Sequence, residues 1–194
     1  TWRYDRCTKH QIFASSCIYP IKGFHYLLEA MPLVLQRFPD AAITVTGSSF
    51  FSGSMSQRLR QTYYRRYLER LACERGLQDK IRFLGRLDAG QMKAAYLDAN
   101  VFVLPSTIEN SPNSLGEAML LGVPCISTEV GGIPSLFDGG RDGLWCRGHR
   151  LSEVAENDKY ASDASESKNN MRNYKIEKTE ELENIVNSMA NSII

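Results

Sequence analysis

Apolar positions along this chain fall into two patterns, short β-branched runs and longer stretches repeating at helical spacing, which alternate from residue 12 to about residue 137. Such alternation predicts crossover units, and so a parallel sheet with helices on both faces. The first strand is expected over residues 12–18. Lys22 and Gly23 then open a helix whose apolar face is Phe24, Leu27, Leu28, Met31, Val34, Leu35 and Phe38, with Pro32 expected to kink or shorten it. Residues 41–46 read as a buried strand ended by Gly47, and residues 48–57, rich in Ser, Gly and Phe, as a loop.

Helical spacing returns over residues 58–75 through Leu59, Tyr63, Tyr67 and Leu71, with Gly76 as the stop. A strand at 80–84, a helix at 89–99 and a wholly apolar strand at 101–104 follow. So short and apolar a strand belongs in the middle of a sheet. Ser111 as cap and Pro112 as first helical residue start the next helix, which Gly122 stops. Residues 123–127 form a fifth strand, Gly131 and Gly132 a turn, and residues 133–137 a short helix; beyond Gly143 the pattern loses order.

Residues 1–146 are therefore read as one α/β domain built on a parallel sheet. Residues 147–176 are polar, with too little apolar surface to offset the entropy of packing, and are expected to be mobile. Leu182, Ile185, Met189 and Ile193 keep helical step within 177–194, a predicted C-terminal helix.

Composition narrows the class without naming it. With 43% hydrophobic and 23% charged residues the chain is that of an ordinary globular protein, and a net charge of +1 gives no pull toward nucleic acid. The five cysteines are scattered and form no CxxC pair, which fits a reducing compartment better than a disulfide framework. No apolar run approaches a membrane span, and the start lacks the order of a signal peptide, so a cytoplasmic chain is expected, with the inner face of the membrane as a further option. The absence of an initiator Met, with a strand close behind, suggests a piece of a longer protein.

The most informative stretch is residues 104–124, where a loop follows the central strand and runs into a helix N-terminus. In open α/β sheets ligands bind beyond the carboxyl ends of the strands, and a helix tip offers unpaired N–H groups to phosphate. Glu109 stands before this helix and Glu117 within it, seven residues intervening. Carboxylates beside a phosphate site need hydroxyl donors, and sugars supply them. Taken alone, two such glutamates read more simply as a loop residue and a solvent-facing helix residue. Lys22, after the first strand, lies on the same carboxyl edge as Glu109.

Pro105-Ser106 with Glu109, then Glu117-Ala118-Met119 with Gly122 and Pro124, then Val130-Gly131-Gly132-Ile133-Pro134, resemble the signature of the nucleotide-sugar-dependent glycosyltransferases of group 1. The resemblance covers residues 12–143 and implies the C-terminal, donor-binding Rossmann-like half of a retaining GT-B enzyme. By position it implies that Glu117 receives the ribose hydroxyls, that Glu109 lies by the transferred sugar, and that Lys22 meets the diphosphate. Lys22 and Glu109 are the implied catalytic pair. Gly23, the loop N–H groups of Asn110, Ser111, Asn113, Ser114 and Leu115, and the Gly131-Gly132 turn are implied to line the donor cleft. The implied reaction moves a sugar from a nucleotide diphosphate donor to a hydroxyl, as in surface polysaccharide or other glycan synthesis, with no metal and no further cofactor. The acceptor is implied to sit on an N-terminal domain that has no counterpart here.

Three departures stand out. Ser16-Cys17 occupies the place where many relatives carry Gly-Arg, Asn110-Ser111-Pro112 replaces the more usual Gly-Phe-Gly, and Ser135 stands where a glutamate is common. These leave open a noncatalytic nucleotide-sugar or partner-binding module from a truncated or decayed gene; an epimerase or phosphorylase sharing the sheet is a third option. Arg58, Arg60, Arg65, Arg66, Arg70 and Arg75, interleaved with tyrosines, are a candidate peripheral membrane contact, although a charged helix face is usually just solvated. His10, His25 and His149 lack metal-ligand spacing and read as surface residues, and Cys17 reads as a small buried residue at a strand end.

Overall fold

A computed structural model describes residues 1–51, 54, 56, 59, 61–138 and 141–146. The expected polar segment 147–176 and helix 177–194 lie outside the described residues. Six parallel strands, β1 (Gln11–Ala14), β2 (Ala42–Val45), β3 (Ile81–Phe83), β4 (Val101–Leu104), β5 (Cys125–Thr128) and β6 (Leu144–Cys146), form one sheet in the order β3-β2-β1-β4-β5-β6. Between them run α1 (Phe24–Arg37), α2 (Tyr63–Glu74), α3 (Ala89–Asp98) and α4 (Asn113–Leu121).

The period-two alternation of the strands splits the core into two layers. Ile12, Ala14, Val101, Val103 and Ile126 face one side with Leu27, Leu28, Met31 and Val34 of α1 and Leu68, Leu71 and Ala72 of α2. Phe13, Phe102, Leu104 and Cys125 face the other with Tyr96 of α3 and Leu115 and Ala118 of α4. All four residues of β4 are buried, as a wholly apolar central strand must be.

Several boundaries correct the sequence reading. β1 stops at Ala14 rather than at residue 18, because the next groups turn to side-chain bonding: Thr46 Oγ1 donates to the Ser15 carbonyl at 2.5 Å. α1 runs through Pro32 to Arg37 without being cut short. A proline inside a helix costs about 3 kcal/mol, whereas burying a single large apolar side chain contributes about 1.5–3 kcal/mol, and Phe24, Leu27, Leu28, Met31 and Val34 are all buried on this helix. The helix expected over residues 58–75 begins, in its α2 part, at Tyr63, where the Thr62 side chain caps the Arg65 N–H. Leu59 and Tyr63 are 82% and 66% exposed, so they do not belong to its inner face.

α4 begins at Asn113 and not at Pro112: Pro112 is the cap residue, with an extended ψ of 102°, and no side chain caps the tip. Its buried ring anchors the tip, and the Ser111 side chain stays exposed. Order also extends past Gly143. Leu144–Cys146 pairs with β5, Trp145 meets Phe137 edge-on at 4.8 Å, and Gly143 permits the approach, since a Cβ there would lie 2.4 Å from the Cys125 carbonyl oxygen. The short helix expected at 133–137 is a 3-10 turn, Ile133–Ser135.

Candidate functional site

The strand order reverses between β1 and β4, so the loops that leave their carboxyl ends diverge around a crevice. The β1 loop passes through a 3-10 turn, Pro20–Lys22, into Gly23, whose φ of +65° suits glycine. A second constraint acts at Gly23, because a Cβ would sit 1.8 Å from the Pro105 carbonyl oxygen. The β4 loop is laced to it, with the Thr107 N–H donating to the Ile21 carbonyl at 2.8 Å. Backbone contact on both sides of Lys22 thus fixes where its side chain starts.

Lys22 Nζ lies 2.5 Å from Glu109 Oε1, and Ser106 Oγ donates to the same oxygen at 2.9 Å. The Glu109 side chain is 8% exposed and that of Lys22 31%, so the carboxylate is held largely out of water while the ammonium keeps a solvent side. Lysine has three donors, and one contact with Glu109 leaves others for an incoming anion. Ser106 is fully buried, and its own carbonyl accepts from Thr128 Oγ1 at 2.6 Å, which ties the Glu109 support to the end of β5. The Gly131-Gly132 turn closes the other flank. Gly132 N–H donates to the Glu109 carbonyl at 3.2 Å, and a Cβ at Gly132 would lie 1.8 Å from the Asn110 carbonyl oxygen.

At the tip of α4, the Leu115 N–H donates to the Pro112 carbonyl at 3.0 Å and the Gly116 N–H to the same oxygen at 3.3 Å. The N–H groups of Asn113 and Ser114 are therefore the tip donors with no backbone acceptor among the described residues, while the Leu115 side chain is in the core. Asn110, Ser111 and Asn113 are exposed and Ser114 is half-buried. Glu117 is exposed on α4 and is held from α3: Tyr96 Oη donates to Glu117 Oε2 at 3.1 Å and lies 3.0 Å from its other acceptor, the Ser114 carbonyl oxygen. Burial first, and the Glu117 charge second, push the Tyr96 phenol well above its ordinary pKa, so it remains a donor. Chemically, the loops after β1 and β4 present a half-exposed cation beside a buried acceptor carboxylate, with a helix tip next along the chain, which suits an anion carrying hydroxyl groups.

Residues 6–178 match the family described as glycosyl transferases group 1. The chain belongs to that family. It is 34% identical over 124 residues to an uncharacterized glycosyltransferase of Methanocaldococcus jannaschii, covering 64% of this chain and 28% of the relative. It is 32% identical over 139 residues to the D-inositol 3-phosphate glycosyltransferase of Corynebacterium jeikeium, covering 70% of this chain and 31% of the relative. The chain thus spans less than a third of either relative. Among solved structures it is similar to Anabaena HepE in complex with UDP, with a TM-score of 0.58 and 24% identity over 95% of this chain and 44% of that one. It is also similar to the C-terminal domain of a glycosyl transferase group 1 family protein from Francisella tularensis, with a TM-score of 0.58 and 19% identity over 99% and 88% of the two chains. The six-stranded sheet is the Rossmann-like half of the GT-B fold.

Three side chains that support this arrangement escape a reading of the sequence. Ser106 sits inside the quoted Pro-Ser motif but carries no signal of its own for reaching Glu109. Thr128 belongs to a strand and points its hydroxyl at a loop that only the fold brings near. Tyr96 reads as one more apolar helix position. Elsewhere, Cys17 is buried against the Thr46 carbonyl, and burial pushes its thiol up to about 11. Arg65 does not project freely, since it donates to Ser48 Oγ and to the Ser48 and Ser49 carbonyls. His25 is half-buried among Tyr26, Tyr64 and Tyr67 rather than on the surface, with Nδ1 3.1 Å from the Tyr64 hydroxyl.

Proposed function

We propose that this chain is the donor-binding half of a retaining glycosyltransferase, which moves a sugar from a nucleotide diphosphate donor to a hydroxyl acceptor held by a second domain outside these residues. What supports this most is the meeting of Lys22 with Glu109 at the strand-order reversal, beside the free tip of α4. The leaving diphosphate gains negative charge as the glycosidic bond breaks. Lys22 and the Asn113–Ser114 end of α4 meet that charge in place of a metal ion. Glu109, half-freed from Lys22 when phosphate arrives, accepts from sugar hydroxyls, and Glu117 accepts from the ribose. The complexes of Anabaena HepE with UDP and with UDP-glucose favour a nucleotide-sugar donor of this class.

In the same proposal the enzyme serves surface polysaccharide or other glycan synthesis on the cytoplasmic side. The outward arginines Arg66 and Arg70 of α2, and Arg75 just past its end, then face the anionic inner leaflet, while Arg58 and Arg60 lie outside the described residues. No helix among the described residues is long and apolar enough to cross a membrane, and contact of this kind is peripheral. Calorimetric titration of the chain with uridine and guanosine diphosphates tests the donor site. One of the two is expected to bind, and Glu117→Ala to weaken that binding strongly. Silence with both nucleotides would favour the noncatalytic module instead.

A further inference from the structure

We propose that Tyr96 is a positioning residue that aims the Glu117 carboxylate at the ribose. The inference rests on the proposed role of Glu117 as the ribose acceptor and adds to it the group that makes the acceptor specific. Tyr96 lies on α3, 1% exposed, on a different helix from the carboxylate it touches. Its ring is locked edge-on against Phe13, at 5.1 Å and 86°, and against Phe102, at 5.4 Å and 67°. These two side chains come from β1 and β4, the strands on either side of the crevice, so the phenol is indexed to the sheet itself.

A tyrosine hydroxyl has one proton to give. Two acceptors compete for it, Glu117 Oε2 and the Ser114 carbonyl, and the charged carboxylate makes the stronger bond. Glu117 is otherwise an exposed glutamate near the start of a helix, free to sample many rotamers. Anchoring Oε2 removes most of that freedom. Oε1 has no hydrogen-bond partner among the described residues, and this is the oxygen left for the ribose hydroxyls. A tyrosine that merely filled the core could be replaced by phenylalanine with no change in which nucleotides bind.

The test compares the affinity of the chain for uridine and guanosine diphosphates with that for their 2′,3′-dideoxy forms. Tyr96→Phe keeps the ring and its contacts with Phe13 and Phe102, and thermal unfolding verifies that the fold survives. It is expected to weaken the ribonucleotide about tenfold and leave the dideoxy form unchanged, and Glu117→Ala to remove the discrimination entirely. In the double variant, Tyr96→Phe should cost nothing further, because no carboxylate remains to aim. Full discrimination in Tyr96→Phe, together with its loss in Glu117→Ala, overturns the positioning role and leaves the donor site intact. Unchanged discrimination in Glu117→Ala overturns the ribose role itself, and the proposal with it.

Discussion

Gly131 lies so close to Glu109 that a Cβ on it would sit 1.7 Å from the Glu109 carbonyl oxygen. Its φ of +55° adds a second demand for glycine. The turn after β5 therefore acts as a stop against which the Glu109 backbone rests, while Lys22 and Ser106 hold the side chain. Gly131→Ala must displace one of the two backbones. Left-handed strain of about 1–2 kcal/mol and overpacking of about 1–3 kcal/mol together predict a loss of about 2–5 kcal/mol. Urea unfolding measures it, and a variant within about 0.5 kcal/mol of the parent, the range of an ordinary surface change, would contradict the contact.

How much of this is legible in the sequence depends on where each signal is stored. β4 is, because four apolar residues between a helix stop and a Pro-Ser loop have no other place than mid-sheet. Lys22 and Glu109 each follow a strand, so a parallel sheet puts both on one edge. β6 is not legible: Leu144-Trp145-Cys146 is short, polar sequence follows it, and it pairs only because Gly143 lets it approach β5. The inner face of α2 is misread because Leu59 and Tyr63 continue a helical spacing that the Thr62 cap interrupts. The Tyr96–Glu117 bond joins two helices twenty-odd residues apart, and no local pattern encodes a side-chain partner at that range.

Burial sets the behaviour of the cysteines. Cys17 is raised to about 11, and Cys125 and Cys146 to about 12, each chiefly because burial disfavours the thiolate. In the folded state they bind protons that the unfolded chain has already released, so between the ordinary thiol value near 9 and these higher values the folded state holds more protons. Stability is thus full below pH 9 and declines as pH rises toward 11 and 12. Urea midpoints are expected to be level from pH 7 to 8.5 and lower at pH 10.5. At pH 8, iodoacetamide should label exposed Cys73 well before these three.

If the protein alone meets the leaving-group charge, chelation has nothing to remove. EDTA is expected to leave the turnover of the full-length enzyme unchanged. A loss of more than tenfold, restored by a divalent cation, would assign that charge to a metal.

Lys22→Ala separates binding from chemistry. In the proposed reaction Lys22 makes its strongest contact as the diphosphate departs, so its loss should fall on the transition state more than on the bound nucleoside. Removing one such preorganised donor costs about 100-fold to 1,000-fold in turnover. Ser106 still donates to Glu109 in the variant, which keeps the carboxylate in place and limits the damage to the missing charge. The expected result in the full-length enzyme is therefore a kcat lower by about 100-fold or more, with uridine or guanosine affinity within a few-fold of the parent. Equal losses in both quantities would make Lys22 a ground-state anchor, and the electrostatic role would have to pass to the α4 tip alone.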